Sequence, residues 1–260
     1  MPDSACRNLS VDFIFLNQLE MMATKIVFCP DETIFKEFGA EGSVHFLSKG
    51  IVRRYKDLPD GRRQVLGFSI AGDLLAIPQS QICYSADAVG NVVVYRFSKT
   101  AFLRLMRASP QLMGSIAAFT HRELWFAHRQ IPLLGKGNPE EKLMAWLLIW
   151  QQKSGQPLSS TMEISLPMKR KDIADYLNIT TETASRALNR LAKKNVLMIT
   201  PTGVRILDAE KVLALATNVD PSIARRRSNE SSPLAHIFTK SRIFLPQSLT
   251  SSCHQGQSEY

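Results

Sequence analysis

The sequence predicts an α+β fold, in which an N-terminal antiparallel β-roll precedes a long helix and a C-terminal winged helix-turn-helix. Residues 25–97 hold short β-branched and aromatic runs separated by turn residues, and residues 110–134 carry two apolar heptad rows. Residues 168–193 fit two helices joined by a three-residue break. We therefore expect a β-roll domain at 1–108, a long dimerisation helix at 109–136, a winged helix-turn-helix at 137–219 and a disordered, Ser-rich tail at 220–260.

The composition is that of an ordinary globular chain with an excess of basic residues. The 260 residues are 45% hydrophobic and 21% charged, with a formal net charge of +9. This excess favours a polyanionic partner, although Lys and Arg also solubilise surfaces. The sequence contains no apolar run of the roughly 18 residues that a membrane helix needs, and polar residues interrupt the N-terminal apolar stretch. We expect a cytoplasmic protein without a membrane partner.

The four cysteines are scattered along the chain and form no C-x-x-C pair. They are Cys6, Cys29, Cys83 and Cys253. The spacing predicts neither a zinc site nor a disulfide framework, so free thiols are expected. A redox response of Cys29 or Cys83 is an alternative that the sequence leaves open.

Turn residues divide the N-terminal domain into strands. The Ser-Lys-Gly segment at 48–50 joins the apolar runs at 44–47 and 51–55, because Gly tolerates the positive φ of a hairpin turn. The Leu-Pro-Asp-Gly segment at 58–61 is a second turn, since Pro presets φ and Asp can bond its own backbone. Further β-branched and aromatic runs follow at 63–68 and 91–97.

Two helices follow the strands. Ser98 is a suitable N-cap for a short helix at 99–107, and Pro110 permits a longer helix that reaches about Leu134. The longer helix carries one apolar heptad row of Leu112, Phe119, Phe126 and Leu133, and a neighbouring row of Ala117, Leu124 and Ile131. Two rows allow one to face the protein's own domain and the other a partner helix, so we expect a homodimer and assign the first row to the dimer. The alternative is a helix buried on both sides within one chain.

The segment after the long helix predicts a helix-turn-helix with a wing. Asn138 and Pro139 start a helix whose apolar face includes Trp146 and Trp150. A polar connector at 151–161 leads to two helices at 168–177 and 181–193, separated by Asn-Ile-Thr. Their inward residues are Ile173, Ala174 and Leu177 on the first and Ala184, Leu188 and Leu191 on the second. Strand-like runs at 196–199 and 204–207 flank a Thr-Pro-Thr-Gly turn, which predicts the wing.

The second of these helices carries polar residues suited to reading base edges. Glu182, Ser185 and Arg186 stand at i, i+3 and i+4 and share one face near the helix N-terminus. Arg can contact guanine O6 and N7 with both arms, Glu can accept from cytosine N4, and Ser suits a base or a phosphate. This pattern predicts double-stranded DNA as the partner. The alternative is that Glu182 and Arg186 form only a surface i,i+4 ion pair.

Hydroxyl and basic residues around this face suit contacts with the phosphate backbone. Residues 169–195 contain seven basic and three acidic residues, a local net charge of +4. The amides at the start of the second helix add to this attraction. The candidate backbone contacts are Thr180, Thr181, Lys169, Arg170 and Arg190.

With these motifs the chain, from about Met22 to Ala216, resembles the Crp/Fnr superfamily of bacterial regulators, and in particular its FixK-like, Fnr-related branch. The strongest stretches are 60–68 with 71–74, and 167–191. The E-x-x-S-R motif of that branch stands intact as Glu182, Ser185 and Arg186. The resemblance implies a β-roll of the cyclic-nucleotide-binding type, a dimerisation helix and a winged helix-turn-helix.

The resemblance also implies a function. It implies a homodimer that reads a TTGAT-type palindrome, each subunit binding one half-site about one helical turn from the other. Arg186 would read the guanine, Glu182 the cytosine paired with it, and Ser185 a neighbouring base. Activation through contacts with RNA polymerase is implied, at genes of low-oxygen growth, nitrogen fixation or respiration, with repression where the site overlaps a promoter.

Two departures from the family pattern concern its effectors. Iron–sulfur members carry an N-terminal cysteine cluster and an internal cysteine, whereas this chain has only Cys6 near its start and Tyr95 at the internal position. Members that bind cyclic AMP use a Glu after Gly and a later Arg, whereas here Asp73 follows Gly72 and Tyr84 stands in place of the Arg. Without that Arg a buried phosphate lacks its bidentate counter-charge. We therefore expect no cofactor and no cyclic nucleotide.

Two other classes of function would each require features of their own in the sequence. A regulator of the same superfamily could sense haem or another small molecule in the β-roll, with His45, Cys83 or a methionine as ligand, although the sequence shows no paired arrangement of these residues. An enzyme would need a nucleophile–base pair, paired carboxylates or a phosphate loop, and none of these patterns rises above chance. We therefore predict no catalytic residues and no metal site.

Overall fold

The computed structural model describes residues 23–39, 42–76, 82–135, 137–155 and 163–226. Within them the N-terminal domain contains β1 (Thr24–Phe28), β2 (Thr33–Phe35), β3 (Ser43–Lys49), β4 (Ile51–Asp57), β5 (Arg63–Ile70), β6 (Leu74–Ala76), β7 (Ser85–Ala88) and β8 (Val92–Ser98). Helices α1 (Lys99–Ala108) and α2 (Pro110–Leu134) follow. The C-terminal domain contains α3 (Pro139–Ser154), β9 (Glu163–Ser165), α4 (Arg170–Leu177), α5 (Thr181–Lys193), β10 (Leu197–Ile199), β11 (Gly203–Ile206), α6 (Ala209–Val219) and a 3₁₀ helix (Pro221–Arg226).

The β-roll consists of two antiparallel sheets, which confirms the predicted fold class. One sheet has the strand order β1-β8-β3-β6 and the other β2-β7-β4-β5. Alternate residues of both sheets, among them Leu47, Val52 and Val94, point inward and are fully buried. The hairpin turn at Gly50 requires glycine, because its φ is +93° and a Cβ there would lie 2.5 Å from the carbonyl oxygen of Asn91.

Local sequence features determine where the long helix α2 begins and ends. The hydroxyl of Ser109 accepts a hydrogen bond from the backbone N–H of Leu112, and Pro110 occupies the first helical turn. At the other end Pro132 lies in the last turn, and Gly135 follows as C-cap. The predicted helix to Leu134 is therefore confirmed.

The two apolar rows of α2 differ in burial, and the single chain leaves the predicted dimer row less accessible than its neighbour. Leu112 and Leu133 are only 6% and 0% exposed within the single chain, and Phe119 and Phe126 are half-buried. Phe126 and Leu133 of the predicted dimer row pack in the protein's own core. The neighbouring row is exposed instead, with Leu124 at 52% and Ile131 at 64%. Because this row stays exposed, the helix is not buried on both sides within one chain.

The C-terminal domain forms around α3. Asn138 and Glu141 form a reciprocal capping box at its start, and the central residues, including Trp146 and Leu147, are buried. The sequence analysis predicted neither strand β9 nor helix α6 of this domain. Strand β9 adds an edge to the wing sheet, whose order is β10-β11-β9, and α6 packs on α3 through residues that include Val212 and Ala216.

The predicted tail begins too early at residue 220. Asp220 is buried and lies 3.0 Å from Nη2 of Arg129 on α2, and Ile223 in the 3₁₀ helix packs into the core. The rest of the predicted tail, residues 227–260 with Cys253, lies outside the described residues, as do Cys6 and residues 156–162 at the connector. Among the described helices, none is both long and apolar enough to cross a membrane.

Candidate nucleic-acid interface

The turn between α4 and α5 follows from three residues. Asn178 adopts the left-handed conformation at φ +53°, which asparagine tolerates, and ends α4. The N–H of Ile179 then donates to the carbonyl oxygen of Ala174 at 3.0 Å. Thr180 caps α5 because its hydroxyl accepts from the N–H of Thr183 at 3.1 Å. The predicted bounds of α5 are confirmed, and its predicted inward residues, Ala184, Leu188 and Leu191, are buried.

The three residues proposed to read bases lie on the open side of α5. Glu182 and Arg186 have side chains that are each 71% exposed, and Ser185 is half-buried. The guanidinium of Arg186 lies 2.5 Å from a carboxylate oxygen of Glu182, so the surface ion pair that was our alternative is formed. Such an exposed pair contributes only about 0.2–0.5 kcal/mol. Its partners can therefore separate at little cost.

The residues predicted to contact the DNA backbone differ in exposure and in whether they already form an ion pair. Thr180 and Thr181 are exposed at the N-terminus of α5, where backbone amides and the helix dipole favour an anion, and Arg170 is exposed at the start of α4. Lys169 lies 2.6 Å from the carboxylate of Asp31 in the β-roll. Arg190 remains 51% exposed but is paired with Glu140.

Glu140, at the start of α3, holds two basic side chains of the α5 region. Its carboxylate accepts from Nε of Arg190 at 2.8 Å and from Nζ of Lys194 at 2.7 Å. Burial raises the pKa of Glu140, but the hydrogen bonds from Lys194 and Arg190 outweigh burial and hold the pKa below its usual range. This carboxylate was not predicted as a site residue, because it is 50 residues from Arg190 in the sequence.

The wing is held by the missed strand β9. Glu163 on β9 accepts hydrogen bonds from the hydroxyls of Thr200, at 2.5 Å, and Thr202 at the wing turn. Gly203 starts β11 so close to β9 that a Cβ would lie 2.0 Å from the carbonyl oxygen of Ile164, so only glycine fits. This anchoring keeps the wing beside α5, with Arg205 exposed.

Asp73 and Tyr84, at which the chain departs from the cyclic-AMP pattern of the family, both contact the protein's own groups. Asp73 is 1% exposed and accepts from Arg122 of α2 at 2.7 Å and from the N–H of Ile70 at 3.0 Å. Tyr84, which stands in place of the phosphate-binding Arg, covers the guanidinium of Arg54 at 5.7 Å and donates its hydroxyl to the carbonyl oxygen of Leu75.

The residues considered for haem ligation differ in environment. His45 is buried beside the ring of Phe35, and burial together with the charge of Arg96 lowers its pKa to about 4. Cys83 is exposed. Across the described part of the chain, no cluster of three His, Cys, Asp or Glu residues is arranged to hold a metal ion.

Comparison with known proteins gives consistent results for both domains. Residues 141–215 match the family model described as a Crp-like helix-turn-helix domain, and residues 25–109 match the cyclic nucleotide-binding domain. The chain is 40% identical over 200 residues to the transcriptional activatory protein AadR of Rhodopseudomonas palustris, covering 76% of this chain and 84% of that one. It is 38% identical over 208 residues to the nitrogen fixation regulation protein FixK of Bradyrhizobium diazoefficiens, covering 80% and 88%. The solved structure of FixK2 from Bradyrhizobium japonicum is similar, with a TM-score of 0.66 and 29% identity over 74% of this chain and 96% of that one.

Proposed function

The chain belongs to the Crp/Fnr superfamily, in its FixK-like branch, and we propose that it activates transcription as a homodimer that reads a TTGAT-type palindrome. It is a DNA-binding transcription activator and not an enzyme. We place its action in the cytoplasm, at promoters for low-oxygen growth, nitrogen fixation or respiration. Contact with RNA polymerase would mediate activation, and binding across a promoter would repress.

The observation that carries this proposal is the exposed face of Glu182, Ser185 and Arg186 at the N-terminus of α5. Both charged side chains point away from the core on a helix whose opposite side is packed. A helix of this kind fits the major groove, where an arginine distinguishes guanine through two acceptors. In this proposal Arg186 reads the guanine, Glu182 the paired cytosine and Ser185 a neighbouring base, while the backbone is held by Thr180, Thr181, Lys169, Arg170 and Arg190.

The proposed dimer uses the exposed row of α2. Ala117, Leu124 and Ile131 repeat at seven residues, which is the spacing of a two-helix seam. Burying Leu124 and Ile131 against the same row of a second copy would remove their apolar surface from water. The row centred on Phe119 and Phe126 then supports the helix from behind.

We further propose that DNA binding requires no cyclic nucleotide. The buried carboxylate of Asp73 already has Arg122 as its cation, and Tyr84 supplies no positive charge for a phosphate. Regulation through the amount of the protein would suit such a β-roll.

A ligand-sensing regulator is the second candidate, because a cavity of about 490 Å³ lies where the β-roll, α2 and the C-terminal domain meet. Aromatic rings of Phe68, Trp150 and Tyr176 form much of its wall. Haem in this protein would give a Soret absorption band. A Soret band in the purified protein, together with a haem-dependent change in operator affinity, would favour this candidate over the first.

The proposed function is tested by separating base reading from phosphate binding. We expect Arg186→Ala to weaken binding to a TTGAT palindrome by about tenfold or more and to abolish the preference for the guanine, because the bidentate contact is lost. Arg190→Ala is the matched control. It should weaken binding to all sequences alike and reduce the slope of log affinity against log salt by about 1. Equal binding of the parent and Arg186→Ala to matched and scrambled DNA would contradict the proposal.

A further inference from the structure

The hairpin of β4 and β5 holds the helix-turn-helix through a buried ion pair. Nη1 of Arg53 on β4 lies 2.5 Å from Oδ1 of Asp172 on α4, and their side chains are only 7% and 6% exposed. Nη2 of the same guanidinium lies 3.0 Å from Asp87 in the neighbouring strand β7. One arginine of the β-roll therefore connects a carboxylate of its own domain to a carboxylate of the domain that carries the recognition helix.

Other contacts surround this ion pair and involve the same surfaces. Nε2 of Gln64 on β5 donates to the carbonyl oxygen of Asp175 on α4 at 2.8 Å. The ring of Phe68 on β5 stacks on Tyr176 of α4 with centroids 6.2 Å apart, and it meets Trp150 of α3 edge-on at 5.9 Å. Apolar contacts thus hold the two domains together, and polar contacts fix their orientation.

The physical character of the ion pair favours a role in orientation. Burying charged groups costs desolvation free energy, so such a pair adds little net stability compared with an apolar contact. The pair does restrict geometry, because Arg53 satisfies both Asp87 and Asp172 only over a narrow range of positions. A small rotation of α4 would leave a buried carboxylate without its cation. Since α5 packs on α4, the rotation of α5 is restricted as well.

We propose that Arg53 and Asp172 are positioning residues that set which half-site spacing the dimer accepts. The inference rests on the proposed binding of a palindrome by a dimer. In a dimer joined through α2, the distance between the two recognition helices depends on how each helix-turn-helix packs on its β-roll. A shift of the helix-turn-helix occurs in both subunits, so it changes this distance twice. The reading face stays exposed in the docked state, so docking orients that face without covering it.

Asp172→Asn is the variant that tests this role with least damage. An asparagine oxygen can still accept the N–H of Lys169, which Asp172 accepts at 3.1 Å at the start of α4. Arg53 keeps Asp87, so no buried cation is left alone. Gln64→Ala is a second, uncharged change at the same interface. Asp208→Asn is the matched control, because Asp208 caps α6 and pairs with Lys211 within one helix.

The measurement is the affinity for palindromes with the preferred spacer and with one base pair added or removed. We expect the parent to bind the preferred spacing about tenfold or more tightly than the altered ones. Asp172→Asn and Gln64→Ala should lower this ratio about threefold or more by loosening the docked position, whereas Asp208→Asn keeps the parental ratio.

The outcomes separate this inference from the proposed function. If both interface variants lose affinity for every spacing equally, or keep the parental ratio, Arg53 and Asp172 have no positioning role and the inference is wrong. If the parent itself shows no preference among spacings and sequences, the proposed function is wrong, and this result is distinct from a failure of the inference. A lowered spacing ratio with guanine preference intact supports the inference, because base reading by Arg186 is then unchanged.

Discussion

A chain of buried and half-buried charges joins the β-roll, α2 and α3, and it predicts that two substitutions destabilise the protein by different amounts. Glu123 lies 2.6 Å from Arg54 and 2.7 Å from Lys153, and Asp73 lies 2.7 Å from Arg122 and 3.5 Å from Lys153. Three cations thus share two carboxylates. We predict that Glu123→Gln destabilises the protein more than Lys153→Met does.

The charges that remain in each variant determine the magnitude. Lys153→Met leaves two cations and two carboxylates, each with its closest partner, and removes the ammonium that lies over the ring of Phe126. A loss of about 1 kcal/mol is expected from the missing charge-assisted contact. Glu123→Gln leaves three cations around Asp73 alone, and removes the carboxylate that neutralises Arg54. Removing one partner of a buried pair in this way costs about 3–5 kcal/mol.

The assay is urea-induced unfolding at pH 7, with the free energy of unfolding compared at unchanged m-value. A pH series adds an independent measurement. Burial raises the pKa of Glu123, but Arg54 and Lys153 outweigh burial and lower the pKa to about 2. Because this folded-state pKa lies below the unfolded value, the stabilisation is present above about pH 4.5 and is lost as the pH falls towards 2. The free energy of unfolding of the parent should therefore approach that of Glu123→Gln as the pH falls through that range. If Lys153→Met is as unstable as Glu123→Gln at pH 7, the balance of cations and carboxylates does not determine the stability of this cluster, and the reasoning is refuted.

Two further predictions concern the dimer row and the buried histidine. Leu124→Asp should raise the dimer dissociation constant about tenfold or more in sedimentation velocity, because a charge would enter the apolar seam. Ala118→Asp, on the flank of α2, should stay dimeric, and a fully dimeric Leu124→Asp would exclude this seam. For His45, burial and Arg96 lower the pKa to about 4, so the unfolded state binds a proton first as the pH falls below about 6.5. The parent should lose about 3 kcal/mol of stability between pH 6.5 and 4, measured by denaturant unfolding. The free energy of unfolding of His45→Phe should depend less on pH over this range. If the parent and His45→Phe show the same pH dependence, His45 is not the group responsible.

Much of the fold could be predicted because its signals are local. The limits of α5 coincide with those predicted, since Thr180 as N-cap and the period of Ala184, Leu188 and Leu191 act within one helix. The face of Glu182 and Arg186 follows from the same helical period. The strand β9 escaped prediction because it is three residues long and is stabilised by pairing with β11.

Taken alone, the sequence determined the order of the domains, the helix-turn-helix and the side chains that α5 exposes, because capping, turn formation and helical periodicity depend on residues only a few positions apart. Only the tertiary structure decided which row of α2 is left exposed. Both rows are apolar and equally spaced in sequence, and packing against the β-roll and C-terminal domain buries Leu133 while it leaves Ile131 exposed. Tertiary packing likewise brought Arg53 to Asp172 across 119 residues. Burial makes such a pair favourable in only one geometry. No local sequence pattern predicts which distant charges will be buried together.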